Sequence, residues 1–345
     1  MYKTAKRLAA IALPAALAFT SFTAQAADEV NIYSYRQQFL IQPMLDAFTA
    51  ETGIKTNVVF AKKGLIQRLK HEGKHSPADI ILTSDIGPLY DVVNEGLTQP
   101  VESAVLDKNI PAQFQDPSKH WYGLTSRARI IYASKDRVKP GEITTYEDLA
   151  DPKWQGRICS RSGKHTYTLS LIGSMIAHHG EAETQKWLEG LKANLARKPQ
   201  GNDRAQVKAV KEGVCDLALG NTYYFGKMLT NDKNPEQKEW AMSVNLLFPN
   251  QDDRGAHMNI SGAALTKHAP HKEAAIKLME FLSKEQAQTM YAKANYEFPV
   301  RPNTPRAELI NEYMGEFKED QINLQEVAEL RATAARLVDK VGFDN

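Results

Sequence analysis

The chain has 345 residues, 42% apolar and 24% charged, with a formal charge of +2; it shows no low-complexity segment, no internal repeat and no footprint of a nucleic-acid binder. Lys3, Lys6 and Arg7 precede an apolar run from Leu8 to Phe19, and small residues then lead to Ala24-Gln25-Ala26, the pattern of a secretory signal peptide over 1–26. Its removal takes three cations with it and moves the charge from +2 to about −1. The run is short for a membrane span and is interrupted by Pro14, and no later stretch approaches the ~20 apolar residues of a transmembrane helix. The expectation is an exported chain of roughly 320 residues without a membrane span, large enough for two α/β domains.

In chain order, Val30 to Tyr33 reads as a strand, followed by Ser34-Tyr35-Arg36-Gln37-Gln38 and a helix carrying Phe39, Leu40, Met44, Leu45 and Phe48 at helical spacing. A strand over Lys55 to Phe60, a helix from Gly64 to His71 and a strand over Ala78 to Thr83 complete a β-α-β-α-β series, the start of a parallel doubly wound sheet. Trp121 to Ala133 reads as one long strand, able to pass from one domain into another. A second series follows: a short helix at Thr145 to Leu149, a strand over Arg157 to Cys159, helices over Thr166 to His178, Glu181 to Leu191 and Ala205 to Glu212, and a buried strand beginning at Val214 and ending in Gly220-Asn221. Ala256 to Leu265 reads as a second crossing strand, then helices over Lys272 to Leu282 and Lys284 to Ala292, and an amphipathic tail helix from Asn323 to Val341. Two crossings imply two discontinuous lobes.

Tyr223 and Tyr224 fall where the Gly220-Asn221 strand gives way to a loop and helix, the edge at which open α/β sheets hold ligands. Cys159 and Cys215 lie beside strand-like runs in a chain sent to an oxidising compartment, and a disulfide between them is expected, two buried thiols being the alternative. Ser160-Arg161-Ser162-Gly163 precedes a helix starting near Thr166, so hydroxyls and free N–H groups surround its first turn, a geometry that binds anions. Tyr167 stands beside that turn, and the cysteine pairing would bring it near the dyad. Phenolates are hard anionic donors suited to Fe(III), which displaces the phenolic proton; Arg36, Arg127 and Arg129 are candidates to hold a small anion such as carbonate. His71-Glu72-Gly73-Lys74-His75 matches the H-E-x-x-H zinc-protease pattern, but Gly73 and Ser76-Pro77 end the helix it needs. His178-His179 before Gly180 reads as a helix C-terminus. No nucleotide-binding or serine-hydrolase signature is present.

These residues resemble the periplasmic ferric-ion-binding proteins of bacterial ABC importers, the bacterial transferrins. The resemblance runs over essentially the whole mature chain, through Asn31-Ile32-Tyr33-Ser34-Tyr35-Arg36, Ala78-Asp79-Ile80, Thr125-Ser126-Arg127, Leu149-Ala150-Asp151-Pro152-Lys153-Trp154-Gln155-Gly156-Arg157, Gly220-Asn221-Thr222-Tyr223-Tyr224 and Asn259-Ile260-Ser261-Gly262. It implies a two-lobed periplasmic-binding-protein fold of α/β class, each lobe a doubly wound mixed sheet, joined by two crossing strands. The lobes expected are 27–127 with 252–302, and 128–251 with 303–345. The resemblance implies Tyr167, Tyr223 and Tyr224 as Fe(III) ligands and Arg36 and Arg127 as anion holders; Ser162, from the helix start described above, is a further anion-binding candidate. Many members place His or His-Tyr just after the first strand, where this chain has Gln37-Gln38, so three tyrosines with carbonate or water are expected, and Tyr35 is the fallback ligand. The implied role is binding and delivery to an ABC permease and its ATPase by a monomeric periplasmic protein with no nucleic-acid partner, not catalysis. The competing reading keeps the fold and takes an organic cation, such as a polyamine or thiamine, boxed by Tyr35, Tyr223 and Tyr224 and paired with Asp85.

Overall fold

A computed structural model describes residues 29–345; the expected signal peptide lies outside the described residues. Nine strands form one connected mixed sheet: β1 (Glu29–Ser34), β2 (Lys55–Phe60), β3 (Ile80–Thr83), β4 (Trp121–Ser134), β5 (Ile158–Cys159), β6 (Leu217–Asn221), β7 (Val244–Leu247), β8 (Met258–Leu265) and β9 (Phe298–Pro299). The order is β2-β1-β3-β8-β4-β6-β5, with β7 and β9 also on β4. β1 pairs in parallel with β2 and β3, as the opening β-α-β-α-β series requires, and β8 enters antiparallel between β3 and β4.

β4 is buried over all fourteen residues and changes partners along its length. Trp121 to Ala128 lies against β8, with β9 at Thr125 and Ser126; Arg129 to Ser134 lies against β6 and β7. Successive side chains on a strand point to opposite faces. Ile130 and Tyr132 accordingly join one hydrophobic core, while Ile131 and Ala133 join another with Trp187, Leu188 and Leu337.

Several boundaries differ from expectation. The strand before the tyrosine dyad begins at Leu217, because Val214 is exposed and Cys215 still precedes the ladder. The run from Thr166 to Ala193 is broken at Gly180, whose φ of 78° with ψ of 166° is open to glycine at little cost, so it holds two helices as expected. The tail divides into Leu324–Glu329 and Arg331–Val341. Leu324 and Val327 pack into the first core, and Ala334 and Leu337 into the second. Glu72 ends its helix and is held by the Tyr33 hydroxyl, Ser76 and Arg68, and Gly73 follows at φ 55°; the H-E-x-x-H segment is a helix end.

Candidate metal and anion site

Parallel pairing of β5 with β6, with Cys159 opposite Ala218, puts the carboxyl ends of both strands on one edge. The Cys159–Cys215 disulfide is present, with its Cα atoms 5.9 Å apart. Each strand then feeds a helix: Thr166–Ala193 after the Ser160–His165 turn, and Tyr223–Leu229 after Thr222 alone. The expected loop before the dyad is therefore missing, and both phenols belong to the first helical turn. Their ring centroids lie 4.3 Å apart, and the Tyr167 and Tyr223 hydroxyls share a hydrogen bond of 3.2 Å. Tyr167, Tyr223 and Tyr224 thus converge at one sheet edge.

Cations surround the three rings. The guanidinium of Arg161 lies 5.3 Å from the Tyr167 centroid, that of Arg127 5.8 Å from Tyr223 and that of Arg204 5.5 Å from Tyr224. Lys227, one helical turn after Tyr223, places its ammonium 5.6 Å from the Tyr223 ring. Two buried carboxylates organise these groups. Asp203 accepts from Arg129 at 2.7 Å, from Arg161 at 2.9 Å and from the Asn221 N–H at 3.0 Å, fixing the end of β6 two residues before the dyad. Glu297, immediately before β9 and only 2% exposed, accepts from Arg36 and Arg127 together. Each carboxylate carries two guanidiniums, so each triad keeps one net positive charge.

That surplus acts on the phenols. Burial pushes the Tyr223 hydroxyl well above its ordinary pKa, its two neighbouring phenols add to this, and Arg127 opposes it. Burial likewise raises Tyr167, Tyr224 adds to the rise, and Arg127 again works against it. Both are neutral phenols until a cation displaces their protons, and nearby guanidiniums then limit the cost of three adjacent phenolates. Burial alone would raise the Glu297 pKa, but Arg36 and Arg127 overcome it and bring the carboxyl down to about 2. Burial lowers Lys227 to about 8, with Glu297 opposing and Arg36 and Arg204 assisting. His165 caps the Tyr167 helix by accepting the Tyr167 N–H at 3.2 Å, and burial with Arg161 lowers its pKa to about 3, so the imidazole is neutral. Arg127 Nε and Nη1, Arg161 Nε, Asn221 Nδ2 and Thr222 Oγ1 are buried without a hydrogen-bond partner, an unusual concentration of unmet polar groups at one place.

The remaining expected residues have other partners. Arg36 gives both terminal nitrogens to Glu297 and one also to Thr125 at 3.3 Å, so it is less open to an external anion than expected. The Ser162 hydroxyl donates to Asp344 at 2.7 Å and the Gly163 N–H to the same carboxylate at 2.7 Å; the chain's own C-terminal segment fills that anion-binding turn. Tyr35 lines a cavity of about 420 Å³ with Lys62, Lys63, Asp85, His165 and Tyr167, but its hydroxyl accepts the Ile66 N–H at 3.0 Å. Gln37 precedes its helix as an exposed residue, and Gln38 bonds to Gln42. Asp85 accepts from the Gly87 N–H at 2.8 Å, Asn259 Nδ2 at 2.9 Å and the Thr166 hydroxyl at 2.5 Å. Among the described residues no group of three or more His, Cys, Asp or Glu is placed to hold a metal. Glu297, Asp203, Arg204 and Lys227 escaped the sequence reading, and only the i, i+4 spacing of Lys227 from Tyr223 signalled one of them.

The family described as bacterial extracellular solute-binding protein matches residues 75–318. Iron uptake protein A1 of Synechocystis sp. is 43% identical over 316 residues, covering 91% of this chain and 87% of that protein. The structure of Mannheimia haemolytica ferric iron-binding protein A in an open conformation superposes with a TM-score of 0.88 at 52% identity, over 92% of this chain and 100% of that one. Trichodesmium FutA (IdiA) in complex with iron and citrate ligands gives a TM-score of 0.88 at 42% identity, over 91% and 99% of the two chains. The fold these neighbours share is the two-lobed fold of periplasmic binding proteins, here built on β4 and β8. The chain belongs to the bacterial extracellular solute-binding protein family.

Proposed function

We propose that this protein captures Fe(III) through the phenolates of Tyr167, Tyr223 and Tyr224 with a small synergistic anion, and delivers it in the periplasm to an ABC permease driven by its ATPase. The observation that carries the reading is the meeting of three phenols, each faced by a different guanidinium, at the carboxyl edge of β5 and β6. Relatives named for iron uptake and ferric-ion binding support the cargo. The lobes we assign are 27–127 with 252–302 and 128–251 with 303–345; the exchange of β4 partners between Ala128 and Arg129 supports the first boundary. Closure over the metal would create the form that the permease recognises.

The organic-cation reading is disfavoured on electrostatic grounds. The aromatic rings already have Arg127, Arg161, Arg204 and Lys227 against them, which repel a cation that, unlike Fe(III), does not displace the phenolic protons, and the Asp85 carboxylate is engaged by three donors. Thermal unfolding of apo protein with Fe(III) and bicarbonate, and separately with spermidine and with thiamine, distinguishes the two. A rise in Tm with iron alone is expected; a rise with either organic cation and none with iron would reject the proposal.

A further inference from the structure

We infer that Glu297 is a positioning residue that sets how strongly the site depends on an external anion, by occupying Arg36 and leaving Arg127 to receive the small oxyanion. The inference rests on the Fe(III)–phenolate reading above. Glu297 is brought to this place by β9, which pairs with Thr125 and Ser126 of β4, the strand that carries Arg127. Its carboxylate takes both terminal nitrogens of Arg36 and one of Arg127, whose Nη2 also donates to Ser261 at 2.6 Å. Arg127 nevertheless retains Nε and Nη1 without partners, and its guanidinium lies 5.8 Å from the Tyr223 ring. The two arginines are therefore unequal. One is saturated by an internal carboxylate and the other keeps donors beside a candidate ligand.

A carboxylate presents the same pair of oxygens to a guanidinium as carbonate does, so Glu297 competes with an external oxyanion for the same cations. Being part of the chain, it competes at a fixed high effective concentration. Removing its charge would leave Arg36 with Thr125 and the third nitrogen of Arg127 with Ser261 as their neutral partners, strengthening the site for carbonate.

The test titrates bicarbonate into iron-loaded, anion-depleted protein and follows the phenolate-to-iron charge-transfer band for the wild type, Glu297→Gln and Glu297→Asp. Glu297→Gln is expected to lower the half-saturating bicarbonate concentration by about tenfold, with Glu297→Asp close to wild type. Equal half-saturation in folded Glu297→Gln would overturn the inference. Should Glu297→Gln fail to fold, Arg127→Lys keeps a cation but loses the two free donors; the bicarbonate requirement is expected to rise about tenfold, and an unchanged requirement would overturn the inference. A wild type with no band in saturating bicarbonate would strike the iron reading itself, which separates that failure from one confined to Glu297.

Discussion

Changing Tyr223 to Phe removes one oxygen from the proposed metal shell and leaves nearly everything else in place. The ring is 6% exposed, and its contacts with Arg127 at 5.8 Å, Lys227 at 5.6 Å and Tyr224 at 4.3 Å do not involve the hydroxyl. The apo protein loses the 3.2 Å bond to Tyr167, a cost of about 1 kcal/mol that is partly offset by no longer burying the Tyr223 hydroxyl. Its unfolding temperature should therefore move by less than about 4 °C. Iron binding should respond far more strongly. Groups one shell removed from a metal typically cost 10–100-fold in affinity, so a lost ligand should cost at least about 100-fold, or ~2.7 kcal/mol. Competition against a ferric chelator measures the affinity directly, and the iron-dependent rise in stability should shrink by the same ~2.7 kcal/mol. Iron held by Tyr223→Phe within about threefold of the wild type, with an unchanged visible band, would refute the assignment of Tyr223.

Other consequences are equally measurable. Because Tyr167 and Tyr223 are held protonated in the apo protein, iron uptake should release at least about two protons, one from each, and affinity should fall steeply as pH is lowered; a pH-stat that records fewer than about two protons per iron would exclude a shell that contains both phenolates. Thr166→Val deletes the hydroxyl that binds the Asp85 carboxylate next to Tyr167, a charge-assisted bond of roughly 1.5–3 kcal/mol. Iron release to a chelator should quicken by at least about tenfold with the band unaltered, and an unchanged rate would show that this contact does not help retain the metal. His257 is buried with its pKa lowered by burial to about 4, below the ordinary value of 6.5. Between those values the unfolded chain binds the extra proton, so apo stability falls as pH drops from 6.5 toward 4, by roughly 3 kcal/mol from this residue. His257→Gln should flatten that part of the curve in denaturant melts, and an unchanged slope would assign the loss elsewhere.

The parts of the fold visible in the sequence are those set by local pattern. Buried runs such as Val30 to Tyr33 and Trp121 to Ala133 announce strands, and Gly180 announces a helix break. β9 is two residues long and owes its existence to pairing with β4, so no local run foretold it. The tail break at Leu330 carries neither glycine nor proline, and the apolar spacing continues through it. The same division holds at the site. Tyr223 and Tyr224 were legible because a strand ending in Gly-Asn puts them at a ligand-holding edge. Glu297 was not, because its burial comes from Arg36, 261 positions away, and from Arg127, 170 positions away. Ser162 looked free for an anion because Asp344, its partner, lies 182 positions along the chain.

The central claim is that three tyrosine oxygens hold ferric ion. It is tested most directly by the metal content and visible spectrum of protein purified without chelator, followed by addition of Fe(III) and bicarbonate. The expected result is about one iron per chain and a phenolate-to-iron charge-transfer band that is lost when Tyr167, Tyr223 and Tyr224 are all changed to Phe. A protein that stays colourless and iron-free at saturating ferric ion and bicarbonate would contradict it.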